Sequence, residues 1–155
     1  MAAQGVYPVY NCKLKVGVKG LASSDNDLKE IAELESIDIK IDAEAEEWKT
    51  MSSEGWASAM LTAKAYSIEA KGKRSIGDPA NDYIFGTAFK NGLDCGTKFN
   101  LVFPDGGILK GDVIVNVASV GGGEATAIGA IEFTLKGNGK PQYVAATPAN
   151  PGGKG

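Results

Sequence analysis

Carboxylates are the side chains in this sequence whose number and spacing could do chemistry. They recur through one stretch as Glu30, Glu33, Glu35, Asp38, Asp42, Glu44, Glu46 and Glu47. Two carboxylates that flank a sugar could act as general acid and nucleophile in glycoside hydrolysis. These eight instead follow one extended segment and the loop after it, where charge is normally solvated. The 155 residues include no histidine, which removes the most common general base and metal ligand. The pattern favours a protein that is not an enzyme, and a carboxylate-pair enzyme remains an alternative.

No other motif predicts a cofactor or metal site. The Asp25-Asn26-Asp27 cluster lacks the glycine and distal glutamate of a calcium loop. The three glycines from Gly121 to Gly123 lack the lysine and the following helix of a phosphate loop. Cys12 and Cys95 do not have metal-binding spacing, and we expect both to be reduced and half-buried. We therefore expect no cofactor.

Composition and charge limit the class of protein. With 155 residues, 43% of them hydrophobic, one domain can bury a core without disulfides or metal. The 21 glycines predict β structure with many turns, and the net charge of −3 gives no basic surface for binding nucleic acid. Neither a secretory leader nor an apolar run of membrane-spanning length is present, so we expect a soluble protein made in the cytoplasm.

Two long alternating segments, Ala32 to Ala45 and Trp56 to Lys71, predict a β-hairpin. In the first segment, the odd-numbered positions carry Ile37, Ile39 and Ile41, and the even-numbered positions carry Ser36, Asp38, Lys40 and Asp42. That period of two is typical of a strand with one polar face. Both segments exceed the usual strand length of about three to ten residues. The hairpin is therefore longer than one small subunit needs, although two edge strands of an ordinary sandwich remain possible.

The second segment changes phase along its length. Its apolar residues first occupy one parity as Ala57, Ala59, Leu61, Ala63 and Ala65, opposite Ser58, Thr62 and Lys64. From Tyr66 and Ile68 onward they occupy the other parity. A reversal of this kind predicts a bulge or bend after Ala65.

One helix is predicted after Asp78. Asp78 can cap the helix, and Pro79 suits its first position. The apolar stripe consists of Ala80, Tyr83, Ile84, Ala88 and Phe89. Gly92 ends the pattern, so we expect an amphipathic helix that covers one face of a sheet.

The remaining pattern predicts more strands and a second hairpin. The strands are expected at Tyr10 to Val18, Thr97 to Phe103, Ile108 to Val120 and Ala127 to Lys136, with a surface loop from Gly20 to Asp27. In the second hairpin, the apolar parity is Val113, Val115 and Val117 in one strand and Ile131, Phe133 and Leu135 in the other. Each set alternates with polar residues, so this hairpin also has one apolar and one polar face.

The segment between the first two strands, Glu44 to Gly55, is interpreted as a charged loop that contains Trp48 and Met51 and is followed by Trp56. Large apolar side chains are costly to leave in water, and aromatic residues and methionine are enriched in interface cores. These side chains could fold back on their own subunit or dock on another one, and we favour docking on another subunit. Acidic residues precede this loop, and Lys64, Lys71, Lys73 and Arg74 follow on and after the second long strand. These opposite charges could pair within the hairpin, pair between neighbouring copies, or be plain surface charge.

In the order of these elements, the sequence resembles the major tail proteins, or tail tube proteins, of long-tailed bacteriophages over residues 5 to 144. The segments that carry the resemblance are ELESIDIKIDAEAEEWKTMSSEGW, GDPANDYIFGTAFKNG and ATAIGAIEFTLKGNGKPQYV. The resemblance implies a mainly β fold, sandwich or barrel-like, with one flanking helix. It also implies two long hairpins that join those of neighbouring copies into an inner β-barrel.

The resemblance divides the chain into parts. Residues 1–144 would form the tail tube domain, with residues 1–9 as an N-terminal arm and residues 44–55 as a loop that contacts the adjacent ring. Residues 145–155, rich in proline and glycine, would be a flexible tail.

The resemblance also suggests residue roles. The polar faces would line the channel with Asp38, Lys40, Asp42, Thr62, Lys64, Asp112, Asn116, Glu132 and Thr134. Contacts between rings would come from Glu46, Glu47, Trp48, Met51 and Trp56. The flanking helix would use Asp78, Pro79, Tyr83, Ile84 and Phe89.

The implied function is structural: hexameric rings of this chain would stack into the hollow tube through which phage DNA leaves the capsid. The implied partners are other copies, a tape measure protein and tail terminator or baseplate proteins, and DNA would pass without specific binding. The protein would be assembled in the bacterial cytoplasm and belong to the virion tail. Tail-like bacteriocins and type VI secretion tubes share the architecture, so fold alone does not choose among them. A monomeric β-sandwich binding module, such as a capsid decoration or adhesion domain, is the alternative.

Overall fold

The structure, a computed structural model, describes residues 5–145 of the chain. It is mainly β, with one α-helix and several short 3-10 turns. The strands are β1 (Lys13–Gly17), β2 (Leu28–Glu30), β3 (Leu34–Lys49), β4 (Ala57–Lys73), β5 (Gly96–Val102), β6 (Ile108–Ser119), β7 (Ala130–Gly137) and β8 (Gln142–Val144). The helix α1 is Pro79–Thr87.

All eight strands belong to one antiparallel sheet that curls on itself. Its order is β2-β1-β5-β6-β7-β4-β3, with β8 paired to β6. β2 and β3 are at opposite ends of this order, yet β2 ends at Glu30 and β3 begins at Leu34. Four residue steps span at most about 14 Å, so the sheet must roll until its two ends come close. This gives the barrel-like form that the sequence predicts.

The core fills the inside of this roll. The fully buried large side chains include Leu14, Ile68, Phe99, Leu101, Phe133 and Leu135. Tyr66 packs against Phe99 with ring centroids 6.0 Å apart, and its hydroxyl donates to the Asp112 carbonyl oxygen at 3.0 Å. Burial raises the pKa of Tyr66 to about 12, with a smaller contribution from the Asp112 charge. The predicted apolar face of the second hairpin is confirmed, because Val113, Val115, Ile131, Phe133 and Leu135 are all buried.

Helix α1 packs on this core, and it begins where the sequence predicts. The Asp78 carboxylate accepts a hydrogen bond from the Asn81 backbone N–H at 3.0 Å, and Pro79 is the first helical residue. Ala80 and Ile84 are buried, while Tyr83 is partly buried against the same cluster.

The helix ends earlier than its apolar stripe predicts, so placing Phe89 in it was wrong. Thr87 donates its side-chain hydroxyl to the Ile84 carbonyl oxygen at 2.7 Å. The next three backbone N–H groups, those of Ala88, Phe89 and Lys90, bond three residues back rather than four. The chain thus tightens into 3-10 turns, which places Phe89 outside the helix and largely exposed.

The interpretation of residues 44–55 as one large loop was also wrong. Residues 44–49 continue β3 and pair with Ala57–Leu61 of β4, leaving residues 50–56 as the connection. Their carboxylates are solvated on the two open faces of the strand, so the charge does not prevent extended pairing.

A phase change in β4 is confirmed, but it lies earlier than predicted. The register passes from Glu44 opposite Ala63 to Ala45 opposite Leu61, which leaves Thr62 as the extra residue. Such an insertion exchanges the faces of the residues beyond it. A second irregularity in the same pairing lies between Leu34 and Ser36 of β3.

Smaller differences concern the ends of the chain and the cysteines. β1 begins at Lys13, because residues Val9–Asn11 form a 3-10 turn. Cys12 is half-buried as predicted, whereas Cys95 is buried and its thiol donates to the Lys90 carbonyl oxygen at 3.2 Å. The predicted flexible tail, apart from residue 145, and residues 1–4 of the predicted arm lie outside the described residues.

Replacing Asp78 with alanine should lower the free energy of unfolding by about 0.5–2 kcal/mol, the usual cost of losing a helix cap. The same carboxylate also accepts from the Ala32 backbone N–H at 3.3 Å, so the effect should lie in the upper part of that range. Chemical denaturation measures it. Asp78→Asn keeps an acceptor oxygen and should cost less, and equal losses in the two variants would contradict the capping role.

Candidate assembly surface

The paired strands β3 and β4 extend well beyond the core. We call residues 41–65 the arm: the outer half of β3, the connection 50–56 and the outer half of β4. Every arm residue is exposed except the half-buried Ser53. A two-stranded ribbon is marginally stable by itself in water. The arm is therefore a structure that a partner would complete.

The connection at the arm tip is ordered by its own hydrogen bonds. Ser53 donates its hydroxyl to the Thr50 carbonyl oxygen at 2.8 Å and accepts from the Thr50 backbone N–H at 3.1 Å. Glu54 and Gly55 follow with positive φ values of 54° and 90°, which reverse the chain. This compact turn presents Met51 and Trp56, with 98% and 81% of their surfaces exposed.

Several strand edges lack a partner within the described part of the chain, and two of them flank the consecutive strands β6, β7, β4 and β3. β3 is the last strand of the sheet order, so its outer edge is open along its whole length. At the other side of the second hairpin, β5 pairs only with residues 108–114 of β6, so residues 115–119 have an open edge there. Open edges present unpaired N–H and C=O groups that can pair with another chain. One copy thus offers an edge on each side.

The two faces of the paired strands β3 and β4, including the arm, differ in chemistry. Directly paired residues of an antiparallel sheet lie on the same face, so the register assigns each side chain. One face continues the core with Ile39, Ile41 and, beyond the bulge, Leu61. The other face carries Asp38, Asp42, Glu44 and Glu46. We call these the apolar face and the acidic face.

Charge on the acidic face is only partly compensated. Near the body, Lys40 Nζ lies 2.9 Å from Glu69 Oε2 and 3.7 Å from Asp38 Oδ2. The hydrogen bond to Glu69 and the charges of both carboxylates raise the pKa of Lys40. Farther out, Asp42 and Glu44 are opposite Ala65 and Ala63, which supply no cation. Negative charge therefore increases along the arm.

The structure brings together most of the residues predicted to line a channel. The register places Asp38, Lys40, Asp42, Asn116, Glu132 and Thr134 on the acidic face, and Asp112 shares the parity of Asn116. Lys64 pairs with Ala43 and shares the apolar face, while Thr62 is the bulge residue. The prediction that Thr62 and Lys64 share a face with Asp42 was wrong. The two faces of β4 exchange at Thr62, earlier than alternation along β4 alone predicts.

The residues predicted to contact another ring divide between strand and tip. Glu46 and Trp48 lie on the acidic face opposite Met60 and Ser58, and Glu47 lies on the apolar face opposite Ala59. Met51 and Trp56 belong to the tip. Together these five residues occupy the outermost part of the arm.

The two hairpins point in opposite directions, a feature that sequence alone does not specify. Lys73 of β4 pairs with Ala130 of β7, and Ser67 pairs with Lys136. The β6–β7 connection, residues 120–129, therefore lies at the end of β4 farthest from the arm tip. We call this end of the subunit the base.

Several carboxylates outside the arm form ion pairs with lysine or arginine. A groove is lined by Glu30, Glu33 and Glu35. Glu30 lies 3.9 Å from Lys13, and Glu35 lies 3.5 Å from Lys73. Within residues 5–145, no group of three or more acidic or cysteine side chains is arranged to hold a metal ion. The same part of the chain contains no helix with the length and apolarity needed to cross a membrane.

Comparison with known proteins identifies relatives of this fold. The sequence model of a family described as phage tail tube protein matches residues 16–143. No curated protein matches the sequence significantly. The fold is similar to that of a chain in the tail of an empty gene transfer agent particle with C6 symmetry, with a TM-score of 0.70 at 18% identity over 90% of this chain and 100% of the other.

Two further solved structures contain similar folds. A chain from the sheath-tube complex of an extracellular contractile injection system, PVC, has a TM-score of 0.56 at 15% identity, covering 93% of this chain and 95% of the other. A chain from the tube-terminating cap of the anti-feeding prophage has a TM-score of 0.59 at 14% identity, covering 94% and 95%.

Proposed function

Because the chain belongs to the phage tail tube protein family, we propose that six copies close into a ring and that the rings stack into a hollow tube through which DNA passes. The observation that carries this proposal is the arm, an exposed ribbon whose edges and faces lack partners within the described chain. The similarity to a chain from a C6-symmetric tail supports six copies in a ring. The proposed role is structural and needs no catalytic group.

Ring closure would use the two open edges. The four strands β6, β7, β4 and β3 are consecutive in the sheet, so each copy can contribute a four-stranded segment to an inner barrel. The outer edge of β3 in one copy would pair with the open edge of β6 in the next. Closure into a barrel would pair these two open edges from copy to copy around the ring.

The acidic face would line the channel. The apolar face continues the subunit core, so it would be directed away from the channel. The acidic face also carries Lys40, Lys71 and Lys136 among its carboxylates. A surface that is not predominantly cationic would let DNA pass without the extensive counterion release that drives binding to lysine-rich proteins. A cryo-EM map of assembled tubes tests this. Asp38, Asp42, Asn116 and Thr134 should point into the channel, and a map that places them on the outer surface would overturn the assignment.

Reversing charge on this face should convert the channel into a DNA-binding one. In tubes assembled around short duplex DNA, Asp42→Lys with Glu44→Lys should retain nuclease-protected DNA at about 50 mM salt and release most of it at about 200 mM. The control is Ala43→Lys with Ala45→Lys, which adds lysines to the apolar face of the same strand. Equal protection in the two variants would contradict an inward acidic face.

The outermost part of the arm, residues 44–55 with Trp56, would contact the adjacent ring. The N-terminal residues 1–9 would also contribute to this contact. Replacing Trp48 and Met51 with serine should leave the subunit folded, because neither side chain is buried in it. Long tubes should be lost, and electron microscopy with circular dichroism measures both outcomes. Normal tubes from this variant would count against the contact.

Negative-stain microscopy of the purified protein tests the proposal as a whole. Tubes with a regular axial repeat are the expected result. A protein that stays monomeric at high concentration would instead favour a β-sandwich binding module.

In the virion, we propose that a tape measure protein and terminator or baseplate proteins contact the tube. We also propose that assembly occurs in the host cytoplasm and that residues 145–155 form a flexible tail.

A further inference from the structure

The base of the subunit carries its own exposed apolar surface. Ile76, Phe89 and Ile128 are 88%, 72% and 70% exposed. Exposed groups of this kind, when they are contiguous, mark interaction sites more often than plain surface. We call these three residues, with Phe85 and Arg74 between them, the base patch.

Direct contacts make the base patch one continuous platform. The Arg74 backbone N–H donates to the Gly129 carbonyl oxygen at 2.9 Å, which joins the segments that carry Ile76 and Ile128. The Arg74 guanidinium lies 4.5 Å from the centre of the Phe85 ring. Phe85 in turn packs edge-to-face on Phe89, with ring centroids 5.6 Å apart.

Buried polar contacts fix this platform in place. Arg74 Nη1 donates to Asn81 Oδ1 at 2.8 Å and lies 2.8 Å from Asp82 Oδ1. Asn81 is fully buried and donates its side-chain amide to the Lys73 carbonyl oxygen at 3.1 Å. The apolar rim is thus held on a rigid support, which lowers the entropic cost of binding a partner.

We propose that the base patch receives the arm tip, Met51 and Trp56, of a second copy in the adjacent ring. This inference rests on the proposed tube and specifies which surface of the neighbour the tip contacts. A tip cannot reach the base patch of its own subunit, because the 17 residues of β4 separate the two by about 50 Å. The contact must therefore be between copies.

Topology favours a second copy as the occupant. The tip and the base patch lie at opposite ends of one strand, so their pairing is head-to-tail and repeats without limit, as a stack of rings requires.

A cysteine pair tests the contact in assembled tubes. Full-length protein with Met51→Cys and Ile128→Cys is assembled and oxidised by air with copper phenanthroline. Non-reducing electrophoresis should show a ladder well beyond the dimer, because each copy would be linked to one above and one below. The controls are each single variant and the parent with Cys12 and Cys95, and none should pass the dimer.

Other results separate this inference from the proposed function. Tubes of the double variant without a ladder, or as much dimer from Met51→Cys alone, would overturn the tip-to-base contact and leave the tube intact. Should the cysteines block assembly, hydrogen exchange of the unmodified protein decides. Amides of residues 74–78 and 127–129 should exchange at least tenfold more slowly in tubes than in subunits, and unchanged exchange would overturn the inference. A parent that forms no tubes would instead contradict the proposed function.

Discussion

A subunit without its arm should fold normally and form no tubes. The variant replaces residues 43–64 with Asn-Gly, so that Asp42 and Ala65, which face each other in the register, become the ends of a two-residue hairpin. The removed segment contains no buried residue. The free energy of unfolding should therefore change by no more than about 1 kcal/mol, since surface changes cost little and the loop becomes shorter.

Assembly should be lost completely, because the variant lacks the outer barrel strands and the tip. Chemical denaturation measures the first outcome, and negative-stain microscopy with light scattering measures the second. A matched control replaces only residues 51–54 with an equally long Gly-Ser connection, which keeps both strand edges. Rings or short stacks from that control, and neither from the arm-less protein, would assign ring closure to the strands. Tubes from the arm-less protein would contradict the central role of the arm.

Phe99→Ala should have the largest effect on stability of any change considered, a loss of about 3–5 kcal/mol in the free energy of unfolding. Phe99 is fully buried in β5 and contacts Tyr66 across the roll. Its removal leaves a cavity beside Tyr66 and the paired strand residue Val16. Backbone pairing holds the neighbouring strands in place, so they cannot collapse fully into the space.

Phe89→Ala is the control with the same chemical change at an exposed position. Its subunit stability should change by less than about 1 kcal/mol, because only its packing on Phe85 is lost. Thermal melts of both purified subunits, together with tube yield, separate the roles. Phe99→Ala should fail at folding, whereas Phe89→Ala should fold and yield fewer tubes. Equal destabilisation by the two changes would contradict the distinction between core and base patch.

Local rules predicted the strands and the start of the helix well. Strict alternation of Ile37, Ile39 and Ile41 with polar residues can satisfy only an extended chain, and the Asp78-Pro79 pair specifies a helix start without tertiary information. The short strands β2 and β8, of three residues each, were not predicted. They exist because neighbouring strands supply hydrogen bonds, and three residues contain too little pattern to reveal this.

Features that depend on pairing between distant residues were predicted poorly. The bulge at Thr62 follows from the register of two strands, and alternation within one strand places it several residues away. The face of Lys64 was misassigned for the same reason. The base patch unites Ile76, Phe89 and Ile128, whose spacing has no period, so only the fold reveals it. The many charged residues near Glu44 similarly predicted a loop. The segment is a strand instead, because both of its faces are exposed to solvent and can carry charge.

The 17-residue strand β4 runs without interruption from the arm tip to the base of the subunit. Tension along the long axis of the molecule is therefore carried by one covalent backbone across most of its height. The fifteen residue pairs between β4 and β3 would be loaded in shear, so that they resist together instead of opening one after another. In the proposed tube, strands aligned with the axis would therefore resist stretching of each layer.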